Sequence, residues 1–483
     1  MPANAPVEIP LAPHSPELDQ LIQWRRKFHS YPEIRWTEFW TTAKIIEILE
    51  GFGFDVCYGT ELYDRITQHG IEPLGLRKIV PDEEVMEQAY QQALGRLGSE
   101  RIIGSMKGGL TGVVAHIRGK RTGGSGDVNT TIPDHPKRIG FRVDIDGLPL
   151  PESTEPNHIP SIEKFSATNG NMHACGHDGH IAIGLGLAKR TSENIDHLTG
   201  EYWIIFQPGE EGGMGGHVFS HLPFLKELDH FMTVHLGLLG GRKLSLGLSF
   251  MDAHAHSVEF RGRSTHSAVA PNEGRNALLA AVTAVKELSA IPRHGSGASR
   301  VNVGEFHSDN AMNIISDYAT FTFQTRGDSP EVARFMDETA IRIIHSSAEM
   351  YGVNVSVKSE GRYVSAPNDP ELKKPLQEVA RYHGIRDLAM IDEFKLPGSE
   401  DAPYLMKAVQ SDRGCVGAEE HPTAKRGAGG RVGRGTALFM GLGCDTRGGH
   451  HNPSFDIDED LLLWGVDLLY GTTLKLGSGD PHP

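Results

Sequence analysis

No run of about 18 apolar residues occurs in this chain of 483 residues, so no membrane-spanning helix is expected. Basic residues are in deficit. Against 62 Asp and Glu stand 47 Lys and Arg, a formal charge of −15, which leaves no domain-wide basic surface for phosphates and excludes a nucleic-acid partner. Cysteine is scarce too. Cys57, Cys175, Cys415 and Cys444 lie far apart, so no disulfide framework is expected and a reducing cytoplasm fits best. The opening MPANAPVEIPLAPHSPEL has no basic segment followed by an apolar one, and a secretory signal is not expected.

What is present describes a globular chain. Hydrophobic residues make up 38% and charged residues 23%, and the length asks for two domains or one large domain with an insertion. Residues 16–52 read as helical, with Leu18, Leu21, Ile22, Trp24, Ile45, Ile46 and Leu49 as an apolar stripe. Pro81–Leu97 reads as a solvated helix, acidic at its start. Strands are expected at Thr111–Ile117, Arg138–Val143, Tyr202–Phe206 and Phe231–Val234, and a helix follows Cys175–His180. Several reactive residues fall where an apolar strand stops, the edge at which open α/β sheets carry their sites. Between 253 and 365 the pattern becomes strand, helix, strand, strand, helix, strand, the order of a ferredoxin-like unit. The expected fold is therefore α/β: an α/β/α domain with a central mixed sheet (1–252 plus 366–483), interrupted by a βαββαβ domain (253–365). The Gly- and Arg-rich stretch 414–435 has no periodicity and reads as an inserted loop.

Histidine is abundant at 25 residues, and only clusters with ligand spacing carry weight. Met172–His180, MHACGHDGH, places three histidines, a cysteine and an aspartate in nine residues. A glycine separates Cys175 from His177, so the chain can bend both towards one ion. Gln207–Glu211, QPGEE, follows a buried strand with two adjacent carboxylates, whose repulsion calls for a cation. Glu211 can ligate while Glu210 takes the proton of an activated water and returns it to the leaving amine. His235 ends another strand, and His450-His451 follows Gly448-Gly449. Thiolate, imidazoles and carboxylate from separate segments compose a transition-metal ligand set. Asp144 and Asp146 stand two apart, and Asp146 is expected to accept a hydrogen bond from a ligand histidine.

FRVDIDGLP, MHACGHDGH, FQPGEEG, VHLG, GSEDA and GHHN, in this order, resemble the M20 metallopeptidase and amidohydrolase family. Within it they resemble the N-acyl-amino-acid and indole-acetyl-amino-acid amidohydrolases. WRRKFHSYPE, GASRVNVG and GHHN point there to the p-aminobenzoyl-glutamate hydrolases. The resemblance covers about residues 20–475 and implies two divalent ions, manganese or zinc, with the inserted domain serving as lid or dimerisation domain. By motif it implies Cys175, His177, Glu211, His235 and His451 as metal ligands and Glu210 as general base. His266, in GRSTHS, matches a histidine that stabilises the oxyanion, often across a dimer interface. Asn313 and Arg326 match positions that bind substrate polar groups, where a guanidinium suits a carboxylate.

The expected activity is metal-dependent hydrolysis of the amide bond in an N-acyl or N-aroyl amino acid of the p-aminobenzoyl-glutamate type. The expected assembly is a homodimer or higher oligomer, or a pairing with a second homologous subunit. Two rivals share the sequence: an aminohydrolase or deaminase acting on a non-peptide C–N bond, and a non-catalytic metal-binding scaffold. Gly209 stands where related motifs usually have alanine, which predicts a looser loop around Glu210.

Overall fold

The computed structural model describes residues 8–67, 73–97, 99–121, 136–411 and 435–478. Cys415 and the Gly- and Arg-rich stretch up to residue 434 lie outside these residues. Two compact units divide the chain, one of residues 1–249, 366–394 and 401–483, the other of residues 250–365 and 395–400. The short return of 395–400 to the second unit has no counterpart in the sequence patterning. Among the described residues no helix is long and apolar enough to cross a membrane.

The first unit is built on an eight-stranded mixed sheet. Its order is Asp55–Tyr58, Val113–Arg118, Glu201–Gln207, Arg138–Asp144, His230–Leu236, Thr436–Leu442, Leu244–Ser245, Met390–Ile391. Arg138–Asp144 runs parallel to both neighbours, and Thr436–Leu442 runs parallel to His230–Leu236. These central strands are nearly continuous apolar runs because helices cover them. Helix His177–Glu193 packs on them, and Pro16–His29 and Leu461–Ser478 pack on that helix. Asp144, Gln207 and Leu236 finish their parallel strands side by side, and that edge receives the reactive residues.

The helical stretch expected over 16–52 is two helices, Pro16–His29 and Phe39–Gly51. Pro32 cannot donate an intrahelical hydrogen bond, and the chain turns through Trp36 in the left-handed region (φ 66°) before the second helix starts. Glu33, buried in that turn, accepts from the Trp40 and Thr41 amides and so satisfies free N–H groups at the helix start.

The second unit has the βαββαβ order: Asp252–Arg261, Ala277–Ser289, Ser299–His307, Tyr318–Gly327, Pro330–Tyr351, Asn354–Tyr363. Its four strands are antiparallel in the order last, first, third, second. Val258, Phe260, Phe321 and Phe323 meet Ala280, Ala284, Met336 and Ala340 of the two helices in one core. Helix Pro330–Tyr351 has Ser329 as N-cap, bonded to the Val332 amide, and Gly352 as a left-handed C-cap. Ser329→Ala is expected to cost about 1 kcal/mol. A thermal scan should register this as a Tm lower by a few degrees, and an unchanged Tm would show the cap to be idle.

Candidate metal centre

Gly176, at φ 88°, makes the turn between Cys175 and the first residue of helix His177–Glu193. Glycine tolerates that backbone, and it places a thiol and an imidazole at one helix start. Cys175 Sγ lies 3.7 Å from His235 Nε2 and 3.4 Å from His450 Nδ1. Ligand atoms of Cys175, His177 and His235 all fall within 4.8 Å of one another, as do those of Cys175, Glu211 and His451 and those of His177, Glu210 and Glu211. Shared members join the three groups into one centre. His451 reaches it in a left-handed conformation (φ 57°), its amide donating to Ala174 O at 2.8 Å and its Nε2 3.2 Å from Glu211 Oε1.

The hydrogen bonds select tautomers. His177 Nδ1 is 2.8 Å from the Asp146 carbonyl and His235 Nδ1 is 2.8 Å from the Leu236 carbonyl. A carbonyl only accepts, so both Nδ1 atoms carry hydrogen and a neutral ring keeps its Nε2 lone pair for an ion. His177 Nε2 is buried with no hydrogen-bond partner. His180 differs. Its Nδ1 bonds Asp144 and its Nε2 accepts from the Leu236 amide, so both nitrogens are occupied and it braces the centre from behind.

Charge in the centre is unbalanced towards the negative. Burial opposes ionisation of His177, yet Asp144 and Asp146 hold its pKa well above the usual range. Cys175 and Glu211 push His451 up to about 10. Burial and the Glu211 carboxylate raise the Cys175 thiol. His235 moves the other way, lowered by burial and then by His180. Raised imidazoles and a thiol reluctant to ionise are what a ligand set short of positive charge produces. A divalent cation supplies that charge and meets the unpartnered His177 Nε2, so these residues fit a metal.

Asp146 lies in the centre, its Oδ1 3.4 Å from Nδ1 of the ligand candidate His177, and its carboxylate has further partners. Oδ1 and Oδ2 accept the amides of Glu210 and Glu211 at 3.0 and 2.9 Å, while its backbone carbonyl takes the His177 hydrogen bond. One side chain thereby sets the direction of both glutamates. The Glu210 side chain is buried, with Oε2 4.0 Å from His177 Nε2. The loop beneath is held rather than loosened. Gly209 donates to Glu38 Oε1 at 2.8 Å, its carbonyl accepts from Gly215, and it adopts φ 64° against the Trp36 ring. A Cβ there would sit 3.1 Å from that ring. Gly209→Ala is expected to cost about 1–2 kcal/mol from the left-handed backbone alone. Lower Tm with unchanged metal content would be the signature, and a Tm equal to wild type would refute it.

Several participants carried no assignment from the sequence. Asp144, His180 and Asp401 are examples, although Asp144 stands in VDID and Asp401 in GSEDA. Arg142 ties two of them together, donating to Asp144 and Asp401 at 2.8 and 2.9 Å and to Gln207 at 2.8 Å, all buried. Its side chain on a central strand gave no signal, since arginine there contradicts the strand's apolar pattern.

Three predicted residues belong to the second unit. His266 is exposed and pairs with Ile314 in a short bridge, and Asn313 next to it accepts the Ser267 amide through its carbonyl. Arg326 is half-buried, bonded to Gln324, Pro397 O and Ser399.

The profile of Peptidase family M20/M25/M40 matches residues 140–426. Indole-3-acetyl-aspartic acid hydrolase of Enterobacter agglomerans is 34% identical, over 95% of this chain and 96% of its own. A p-aminobenzoyl-glutamate hydrolase subunit of Escherichia coli (strain K12) is 33% identical, over 94% of this chain and 95% of its own. Among solved structures, an aminobenzoyl-glutamate utilization protein from Klebsiella pneumoniae superposes with a TM-score of 0.66 at 28% identity, covering 96% of each chain. A dinuclear metal-binding peptidase of the M20 family from Bacillus subtilis shares the fold, with a TM-score of 0.62 at 19% identity over 95% of this chain and 98% of that one.

Proposed function

This chain belongs to the M20/M25/M40 peptidase family, and on that premise we propose that it cleaves N-acyl or N-aroyl amino acids of the p-aminobenzoyl-glutamate type. It is a metal-dependent amidohydrolase, and its relatives favour amide cleavage over the aminohydrolase and scaffold readings. The observation that carries the reading is the Asp146 grip on Glu210 and Glu211 beside Cys175, His177 and His235. A ligand set alone would serve a storage or structural site. A second carboxylate aimed by the same side chain supplies a base.

We assign Cys175, His177, Glu211, His235 and His451 to two divalent ions. Manganese or zinc suits this mixed set of sulfur, nitrogen and oxygen donors, the thiolate favouring zinc. Such an ion, when bound, lowers the pKa of water and polarises a carbonyl. The residues do the rest. Glu210 accepts the water proton and delivers it to the leaving nitrogen, and burial keeps bulk water from competing for it. Asp146 holds that carboxylate in place through the backbone. His266, Asn313 and Arg326 are assigned by motif position, His266 to the oxyanion and the other two to polar groups of the substrate. In this proposal residues 1–252 with 366–483 are catalytic and 253–365 form the lid or dimerisation domain. The enzyme works in the cytoplasm as a homodimer or higher oligomer, or beside a homologous second subunit, the last supported by a relative that is itself named as one subunit of a hydrolase.

Product analysis tests the substrate class. Manganese- and zinc-loaded enzyme, incubated with a mixed library of N-acyl and N-aroyl amino acids, is expected to release free amino acid and the matching acid, read by mass spectrometry. Ammonia without free amino acid would replace this reading with the aminohydrolase one.

A further inference from the structure

The first strand of the second unit, Asp252–Arg261, carries His254 and His256 two residues apart, hence on one face. Asp337 of helix Pro330–Tyr351 meets both. Its Oδ2 lies 3.0 Å from His254 Nδ1 and its Oδ1 2.7 Å from His256 Nε2. Ligand atoms of the three residues fall within 4.8 Å of one another. The three side chains are only 8–16% exposed, buried enough to exclude most water and open enough to admit an ion. His256 stacks on Phe323 at 5.0 Å, which fixes its ring. Burial works against the charge on Asp337, yet the two imidazoles hold its carboxyl well below the usual range.

As a hydrogen-bonded clip this cluster uses one nitrogen of each ring. Each imidazole donates one hydrogen to Asp337, leaving His254 Nε2 and His256 Nδ1 buried without a partner. Thr325, the register partner of His254 on the adjacent strand, adds a buried hydroxyl with no hydrogen bond. None of these residues belongs to the ligand set of the first unit.

We propose that His254, His256 and Asp337 form a separate cation site for a divalent transition ion, zinc by its donor set. Two imidazoles and one carboxylate are a recognised three-ligand set, with the fourth position left to water. Binding needs no oxidant and no net proton release from the rings. The hydrogens on His254 Nδ1 and His256 Nε2 leave for solvent, and solvent protonates the opposite nitrogens. The ion then takes the two lone pairs and the carboxylate. It ties the first strand to the second helix in a unit whose core is otherwise apolar.

Two measurements test the site. Full-length chain, stripped by chelator, loaded with excess zinc and desalted, is expected to keep one more zinc per chain than His254→Gln/His256→Gln prepared alike. A chain disabled at the first centre by Cys175→Ser, His177→Ala and His235→Ala is expected to bind cobalt(II) with a tetrahedral d–d spectrum, and addition of Asp337→Asn should abolish it. The second arm does not depend on folding of the double histidine variant. Equal zinc in wild type and His254→Gln/His256→Gln, or no cobalt spectrum in the disabled chain, overturns the proposal.

Discussion

Glu210→Gln is expected to lower kcat by about 10²- to 10⁴-fold while the chain keeps its full complement of metal. Glutamine preserves the volume, and the backbone amide that Asp146 holds is untouched, so the loop should stay where it is. Only the proton acceptor is lost. KM is expected within a few-fold of wild type, because substrate contacts are not altered. Glu211→Gln should give the opposite pattern, with metal lost first and activity partly restored by added manganese or zinc. The pair therefore separates base from ligand, using metal analysis beside steady-state kinetics. Full turnover by a metal-replete Glu210→Gln enzyme would remove Glu210 from the chemistry, whatever the family resemblance implies.

This division was readable in the sequence because it rests on local facts. Glu210 and Glu211 are adjacent and follow the buried strand Glu201–Gln207, and their repulsion calls for a cation nearby. Cys175 and His177 were legible for the same reason, with Gly176 between them. The alternating pattern of the second unit also showed in sequence, since its strands bury one face against two helices and expose the other. What escaped is non-local. No spacing rule says that the Asp146 carboxylate will meet two amides 64 and 65 residues away. The break at Pro32–Glu38 was hidden by an apolar stripe that continues on both sides of it. His254 and His256 become a cluster only because helix Pro330–Tyr351 lays Asp337 across them. Sequence periodicity finds faces, and chemistry that arises between two faces needs the fold.

Arg142→Met is expected to cost about 3–5 kcal/mol, a large share of the 5–15 kcal/mol that holds a typical domain together. The guanidinium is fully buried and stands between the equally buried Asp144 and Asp401. Methionine fills much of its volume, so the loss comes mainly from two buried carboxylates that lose this guanidinium. Lysine should not rescue it, because one ammonium cannot reproduce the planar fork that reaches Gln207, Asp144 and Asp401 together. Adding Asp401→Asn to Arg142→Met should recover part of the loss, and urea unfolding of the single and double variants measures the coupling. The effect should reach the metal centre. Asp144 bonds His180, and His180 accepts the Leu236 amide beside the carbonyl that orients His235. Weaker metal retention should therefore accompany the lost stability even though Arg142 is not itself a ligand. A loss under about 1 kcal/mol, the range of an ordinary surface ion pair, would mean that the buried carboxylates find protons or water instead.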